Sequence, residues 1–425
     1  MEAGILTLDD FEVAGKTVIL RVDINSPIDR ETGQLVNDNR IRKSLPTILE
    51  LADAGAKVVL LAHQGDTEDY HNLISLDEHA ARLGELLGRP VGFIDDIAGP
   101  AAIAAVKALG PGEVLLLNNV RYYTEEVSSF VNFVKLTPQE LAETRLVRNL
   151  APLADLFVNE AFAAAHRYSP SLVGFAEVLP TAAGRLFIEE FGALARVKET
   201  PSHPCVYVLG GARIADAFSM MQQVLSEGAA DQVLTCGLNG EVMVLARGTA
   251  LGAPSERLIE EKGLTPYVQK AKELDAAFGE KIISPVDFAI DEGGRLEIGL
   301  SDLPSDHLLI DIGRRTIEMY ERVIAQAATI FVNGPAGVYE QAAGAEGTKR
   351  LWNAIADAPG YSVIGGGDSV AAGAKFGVLE RMGYVCTSGG GMVRFLSGQE
   401  LPVVTGLRRA AERACEHSGF ERRFT

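Results

Sequence analysis

The sequence is short of the residues that support several kinds of protein. It has 4 cysteines and 1 tryptophan among 425 residues. The cysteines lie far apart and lack the spacing of a zinc site, so neither a disulfide framework nor a structural metal centre is predicted. No uncharged apolar run approaches the roughly 20 residues that span a bilayer. The N-terminus has no basic stretch before an apolar core, which argues against a signal peptide. These absences predict a cytoplasmic protein with free, buried thiols and no membrane partner.

Positive charge is scarce as well. The chain has 39 Lys and Arg against 57 Asp and Glu, for a formal net charge of −18. An acidic surface repels nucleic acids and anionic membranes, which excludes them as the main partners. An anionic substrate would therefore need a local cluster of basic side chains. With 47% apolar residues, the chain is expected to form two or three well-packed domains.

Short apolar runs alternate with helical patterns from end to end. The predicted strands are Thr17–Asp23, Lys57–Ala62, Val91–Ile94, Val114–Asn118 and Leu156–Asn159, followed by Cys205–Leu209, Gln232–Cys236, Ile282–Asp287, Leu308–Asp311, Thr329–Asn333, Ser362–Gly365 and Tyr384–Thr387. Continuous apolar strands separated by helices are typical of parallel sheets covered on both faces. We therefore predict an α/β fold with two doubly wound, Rossmann-like parallel sheets. In such sheets ligands bind at the carboxyl ends of the strands.

The two series of strands are separated by a single amphipathic helix. It includes Gly184–Phe191 and is flanked by Pro180 and Pro201. A helix that joins two α/β halves suits a hinge beside a ligand cleft, although a helix that packs on one half alone would show the same pattern. The predicted domains are residues 1–180 and 181–391.

Cationic and polar residues follow the strands of the first half. They are Arg21, Asp23, Asn25, Arg40, His63, Arg121, His166 and Arg167. Each arginine alone is most simply a surface or ion-paired residue. Because several follow successive strands of an acidic chain, together they predict one anion-binding patch, in which arginine suits phosphate and carboxylate groups. Asp23 and Asn25 could position a hydroxyl group.

Glycines follow four strands of the second half, in Leu209–Arg213, Cys236–Gly240, Asn333–Glu340 and Gly365–Ser369. Backbone amides and helix N-termini at such turns can bind a polyphosphate. Asp368 could cap a helix or hold a divalent cation between phosphates, and Glu340 could accept hydrogen bonds from a ribose. Neither a P-loop nor a dinucleotide-binding fingerprint is present. Tight packing of helices on a sheet is the alternative explanation for any one of these turns.

These features together resemble phosphoglycerate kinase, particularly its archaeal branch. The most specific segments are Arg21–Pro27, Arg40–Ile48, Phe157–Arg167, Asp311–Ile317, Asn333–Glu340 and Gly365–Ser369. The resemblance implies reversible phosphoryl transfer between 1,3-bisphosphoglycerate with ADP and 3-phosphoglycerate with ATP, in glycolysis and gluconeogenesis. It also implies Mg²⁺ bound with the nucleotide. A monomer and a homodimer are both compatible with the sequence.

The resemblance assigns roles to individual residues. It implies that 3-phosphoglycerate is held by Asp23, Asn25, Arg40, His63, Arg121 and Arg167. The implied nucleotide-binding residues are Gly210, Gly211, Arg213, Gly237, Asn333, Pro335, Glu340, Gly366, Gly367, Asp368 and Ser369, with Asp368 at the metal. The implied catalytic residues are Arg40, Arg213, Gly366 and Gly367. By the same resemblance, a C-terminal segment from about residue 392 to 425 returns to the first domain.

Three segments depart from the family pattern. Arg213 stands where the family has lysine, and a planar guanidinium is not equivalent to a compact ammonium. Asp66 stands where a basic residue is expected, which weakens the anion patch. Tyr384–Gly391 lacks a histidine and a Ser-Thr order common in the family. Three hypotheses stay open: an active or slowed phosphoglycerate kinase, a paralogue for another acyl or sugar phosphate, and a nucleotide-binding protein without catalysis.

Overall fold

A computed structural model describes residues 4–29 and 31–418. The chain forms two compact units, Met1–Gly192 with Glu400–Thr425 (unit 1) and Ala193–Gln399 (unit 2). The compact units meet at Gly192 and at Gln399. The substrate-binding domains predicted to end at residues 180 and 391 stay a prediction. Within the described residues, none of the helices combines the length and the apolar character needed to cross a membrane.

The strands are short and are buried at most positions. They are β1 Thr17–Arg21, β2 Lys57–Leu61, β3 Val91–Ile94, β4 Val114–Leu117, β5 Leu156–Asn159, β6 Thr181–Ala183, β7 Cys205–Leu209, β8 Gln232–Thr235, β9 Ile282–Ile283, β10 Asp287–Asp291, β11 Arg295–Gly299, β12 Asp311–Ile312, β13 Thr329–Asn333, β14 Tyr361–Gly365 and β15 Tyr384–Val385. Unit 1 has a parallel sheet in the order β3-β4-β2-β1-β5-β6, and unit 2 has one in the order β15-β14-β13-β7-β8-β9. The predicted pair of parallel sheets is confirmed.

The helices fill the crossovers between these strands. They are α1 Asn39–Asp53, α2 Asp77–Leu87, α3 Pro100–Ala108, α4 Ser128–Val134, α5 Pro138–Ala142, α6 Arg145–Leu150, α7 Arg185–Lys198, α8 Ile214–Ser226, α9 Gly237–Ala246, α10 Ala253–Glu261, α11 Pro266–Phe278, α12 Arg314–Ile324, α13 Glu346–Asp357, α14 Gly367–Lys375, α15 Gly390–Leu396 and α16 Pro402–Ser418. Short 3₁₀ turns join several of them.

The sheet of unit 1 has a core on each face. Alternate residues of one strand point to opposite faces, so Val18 packs in the layer that contains α1 and α2. Its neighbour Ile19 packs in the layer that contains α3 and α6. In unit 2, one face of the sheet is covered by α12, α13 and α14, where Trp352 is fully buried. This arrangement leaves the carboxyl ends of the strands as the place where side chains and turns can meet a ligand.

One sheet was missed by the sequence analysis, which expected parallel strands throughout. A small antiparallel sheet in unit 2 has the order β11-β10-β12. The run predicted as one strand, Ile282–Asp287, is divided at Pro285: β9 joins the large sheet and β10 begins the small one. Proline has no N–H for a ladder hydrogen bond, which explains the break. The turn Asp291–Gly294 is a hairpin signal between β10 and β11 that could have identified this sheet.

Helix α7 contains the residues at which unit 1 ends and unit 2 begins. In its first half, the Phe187 ring lies 5.2 Å from that of Phe162 in unit 1. In its second half, the carbonyl of Val197 accepts a hydrogen bond from the Tyr207 hydroxyl in unit 2 at 2.8 Å. Each half of the helix therefore packs within its own unit. Of the four cysteines, all free, three are buried as expected and Cys415 is exposed.

Candidate active site

Asp23, Asn25 and Arg40 form one cluster just beyond the end of β1. Arg40 Nη1 donates to both carboxylate oxygens of Asp23, at 3.1 and 2.9 Å. The Asn25 N–H donates to Asp23 at 3.2 Å, and the Asn25 side-chain oxygen accepts from the Gly65 N–H at 3.3 Å. Asp23 is 8% exposed, whereas the Arg40 side chain is 41% exposed. Asp23 thus fixes Nη1 of Arg40, while the rest of the side chain stays partly accessible to a ligand.

His63 lies at the end of β2 with four arginines around it. Arg21 Nη2 is 3.0 Å from His63 Nδ1, and both side chains are buried. Burial first, and then the positive charges of Arg21, Arg121, Arg167 and Arg40, lower the pKa of His63 well below its ordinary value. The imidazole is therefore neutral. Because arginine can only donate, His63 accepts at Nδ1 and carries its proton at Nε2.

Arg121 and Arg167 meet at the carboxylate of Asp66. Arg121 Nη1 forms an ion pair with Asp66 Oδ2, and Arg167 Nη1 lies 3.2 Å from the same oxygen. The Ser128 hydroxyl also bonds to this carboxylate. Burial raises the pKa of Asp66, but the hydrogen bond from Ser128 and the charge of Arg121 outweigh burial and lower it. The ionised Asp66 carboxylate therefore pairs directly with the arginines of this cluster.

A buried network below the cluster fixes Arg21. Its Nε donates to the Ser171 hydroxyl at 2.9 Å, and that hydroxyl donates to Glu126 at 2.7 Å. Burial lowers the pKa of Arg21 to about 10, although the charge of Glu126 opposes this. Arg21 was expected to line the anion patch, but it is 1% exposed and supports His63 from beneath. Sequence analysis missed Glu126 and Ser171, which carry no motif of their own.

In unit 2, the four glycine turns follow the adjacent strands β14, β13, β7 and β8. The Gly211 N–H donates to the Pro335 carbonyl at 2.8 Å, and the Gly237 N–H donates to that of Ala336 at 2.9 Å. A Cβ on Gly210 would lie 2.3 Å from the Pro335 oxygen. Glycine is needed at these positions because the loops touch backbone to backbone.

The turns after β13 and β14 are joined in a similar way. Asn333 Nδ2 donates to the Gly365 carbonyl at 2.9 Å. The Gly334 N–H donates to the hydroxyl of Ser369 at 2.6 Å, and Ser369 is buried. Gly366 has a φ of 91°, which favours glycine. Asn333 and Ser369 therefore set the shape of the turn that leads into α14.

Four of the predicted residues face solvent: Arg213, Glu340, Gly367 and Asp368. A Cβ built on Gly367 meets no atom within 4 Å, so the first turn of α14 has open space in front of it. Over residues 4–29 and 31–418, no group of three or more His, Cys, Asp or Glu forms a cage for a metal ion. A single carboxylate such as Asp368 still suits Mg²⁺, which is usually held by one or two carboxylates together with substrate phosphates.

Comparison with known proteins gives a consistent result. The family model described as phosphoglycerate kinase matches residues 8–399. The phosphoglycerate kinase of Methanothermobacter thermautotrophicus is 44% identical over 405 residues, which are 95% of this chain and 97% of that protein. The enzyme of Pyrococcus furiosus is 42% identical, with 96% of this chain and 98% of that protein covered.

Solved structures agree with these sequence matches. The crystal structure of phosphoglycerate kinase from Pyrococcus horikoshii OT3 has a TM-score of 0.85 at 40% identity, over 96% of this chain and 100% of that one. The structure of the Coxiella burnetii enzyme has a TM-score of 0.82 at 31% identity, over 96% and 100% of the two chains.

The chain belongs to the phosphoglycerate kinase family. This confirms the resemblance to archaeal phosphoglycerate kinases and, with it, the predictions of phosphoglycerate kinase function and of a phosphotransferase with a carboxyl group as acceptor. Phosphoglycerate kinases act on a phosphoglycerate and on ATP or ADP.

Proposed function

We propose that unit 1 binds 3-phosphoglycerate through Asp23, Asn25, Arg40, His63, Arg121 and Arg167. One observation carries this proposal: Arg21 lies 3.0 Å from the buried His63, and Arg40, Arg121 and Arg167 are close enough to lower the pKa of the same imidazole. Asp23 and Asp66 already pair with three of these arginines, but guanidinium groups gathered at the carboxyl end of one parallel sheet still favour an anionic ligand. The neutral imidazole can donate from Nε2 to such an anion without adding a further charge.

We propose that Arg40 interacts with the phosphoryl group during transfer. Its guanidinium is held by Asp23 at Nη1, while 41% of the side chain is exposed. A guanidinium presents five N–H donors in a rigid plane, which matches a phosphoryl group. Asp23 and Asn25 have oxygens in the same cluster, and these can position the hydroxyl of the acceptor.

We propose that unit 2 binds the nucleotide at the turns after β7, β8, β13 and β14. Gly210, Gly211, Gly237, Asn333, Pro335 and Ser369 hold these turns in register, and the contacts described above support that role. Gly366 and Gly367 then present backbone amides at the start of α14, where a helix N-terminus favours phosphate. Arg213 adds a charge from the loop after β7, and Glu340 is the acceptor for ribose hydroxyls.

Mg²⁺ is the cofactor that we propose for the nucleotide, with Asp368 as its protein ligand. Asp368 is exposed in the first turn of α14, so its carboxylate would be available to a cation that accompanies the nucleotide phosphates. When bound, the cation neutralises charge on the phosphates. The backbone amides of Gly366 and Gly367 would hold the polyphosphate without a metal.

The chemistry then requires positioning and positive charge. A carboxylate oxygen of 3-phosphoglycerate attacks the γ-phosphorus of ATP, and the bond from that phosphorus to the bridging oxygen of ADP breaks. Because the attacking carboxylate is already ionised, no general base is needed, which is consistent with a histidine that is buried and neutral. The enzyme's contribution is to align the reactants and to stabilise the charge on the transferring group.

A coupled assay with 3-phosphoglycerate and MgATP tests this assignment. We expect turnover that depends on both substrates and on Mg²⁺. ATP binding without turnover on 3-phosphoglycerate would instead favour a paralogue for another substrate or a binding protein without catalysis. Variants of the unit 1 residues should alter the KM for 3-phosphoglycerate. Variants of the unit 2 turns should alter the KM for MgATP. If variants in unit 1 changed only nucleotide binding, the division of roles would be wrong.

A further inference from the structure

We propose that Asp66 lowers the affinity of the acceptor site for its anionic ligand, because the Asp66 carboxylate occupies two arginines of that site. This inference rests on the proposed function of unit 1. It concerns a residue outside the predicted binding set, which the sequence marked only as a departure from the family pattern. In the structure, the Asp66 carboxylate pairs with Arg121 and Arg167.

The carboxylate of Asp66 accepts hydrogen bonds as a bound anion would. Its Oδ2 faces Arg121, Arg167 and the Ser128 hydroxyl. Its Oδ1 accepts from the N–H of Thr67 at 2.7 Å and from the N–H of Ser128 at 3.2 Å. Two guanidinium groups, a hydroxyl and backbone amides are the donors that recognise phosphate and carboxylate ligands. The chain therefore places one of its own carboxylates in a site built for an anion.

This carboxylate is poorly screened by solvent. The Asp66 side chain is 15% exposed and that of Arg121 is 3% exposed. The hydrogen bonds that lower its pKa keep it ionised. An acceptor that carries a phosphate dianion must therefore share the N–H donors of Arg121 and Arg167 with Asp66, or displace the Asp66 carboxylate from them. It also meets a like charge there. Both effects weaken binding of the acceptor and leave the nucleotide turns of unit 2 unaffected.

The sharpest test removes the charge and keeps the shape. In Asp66→Asn the side-chain oxygen can still accept from the amides of Thr67 and Ser128. We expect the Kd for 3-phosphoglycerate, measured by calorimetry, to fall at least tenfold and the KM to fall with it. The Kd for MgATP should change less than twofold. The matched control is Asp69→Asn, an exposed residue of the same loop, which removes one charge and should change the Kd for 3-phosphoglycerate less than twofold.

Each outcome separates this inference from the proposed function. A folded Asp66→Asn variant that binds 3-phosphoglycerate equally or more weakly overturns the role of Asp66, whereas turnover by the unaltered enzyme still supports the proposed function. If neither protein binds 3-phosphoglycerate, both proposals are wrong. An equal gain of affinity for 3-phosphoglycerate in Asp69→Asn would show that the net charge of the loop, and not the position of Asp66, sets the affinity. This result would also overturn the inference. If Asp66→Asn does not fold, judged by its thermal melt, Asp66→Ser is measured against the same criteria.

Discussion

Arg21 and His63 are joined across 3.0 Å, from the guanidinium Nη2 to the imidazole Nδ1, with both side chains buried. Arg21 is protonated at neutral pH, since its pKa is about 10, and so the imidazole is the acceptor in this pair. Burial and the surrounding cations oppose protonation of the imidazole. The pair therefore provides a neutral N–H donor in a cationic site. This is a useful property for binding an anion over a broad range of pH.

The first prediction concerns the protonation of His63. Because burial and the arginines lower its pKa well below 6.5, we expect the imidazole to stay neutral from pH 8 to about 6. Nitrogen-15 NMR of histidine-labelled protein measures this directly, and the His63→Gln spectrum identifies the resonance. A resonance that changes to the imidazolium position near pH 6.5 would contradict the neutral assignment.

A second prediction links His79 to the stability of unit 1. His79 is fully buried, and burial lowers its pKa to about 4. Below pH 6.5 the unfolded chain binds a proton at this residue and the folded chain does not, so its contribution to stability is present above pH 6.5 and is lost as the pH falls towards 4. Between pH 6.5 and 5 the loss is about 2 kcal/mol in the free energy of unfolding.

Urea denaturation at these two pH values measures that loss. His79→Gln keeps a donor for Gln64, whose side-chain oxygen lies 3.1 Å from His79 Nε2, but it cannot titrate. The variant should therefore show a smaller fall in stability than the unaltered protein, by about 2 kcal/mol. His71→Gln, at an exposed histidine, is the control. Equal pH dependence in His79→Gln and the unaltered protein would mean that the pKa of His79 is the same in the folded and the unfolded protein.

A third prediction tests Arg40 in the transfer step. Arg40→Ala should reduce kcat by about 10³-fold, the lower range for an arginine that stabilises a transferring phosphoryl group. The Kd for MgATP should change less than threefold, because no nucleotide turn lies in this cluster. Arg42→Ala is a matched control, since Arg42 lies on the same helix and pairs with Asp38 at 2.8 Å. Equal losses of kcat and of nucleotide affinity in Arg40→Ala would argue against the assigned role.

A fourth prediction separates two kinds of glycine in unit 2. Gly367→Ala puts its Cβ into open space, so stability should be unchanged or slightly higher while the Kd for MgATP rises at least tenfold. Gly334→Ala should destabilise unit 2, because its φ is 87° and its Cβ would lie 2.1 Å from the Gly210 oxygen. Thermal melts and calorimetry with MgATP measure both effects. Unchanged nucleotide affinity in Gly367→Ala would remove this amide from the proposed site.

The two parallel sheets, and the strand ends that carry the candidate residues, could be predicted from the amino-acid sequence. Apolar strands such as Cys205–Leu209 could be recognised because a strand buried on both faces needs a continuous apolar run. The polar residue or glycine at which such a run stops, for example Asn333, predicted where the turn begins. Where a local break interrupted the run, at Pro285, the prediction merged β9 and β10 and missed the antiparallel sheet.

Which of these residues lie together depends on the tertiary structure. Arg21 and His63 are 42 positions apart, and Asp66 meets Arg167 across 101 positions. Nothing in the local pattern distinguishes a buried supporting arginine from one that is open to a ligand, since burial and pairing depend on elements that are distant in the chain. The same is true of Asp66, whose charge could be counted from the sequence but whose partners depend on the loops that fold around it.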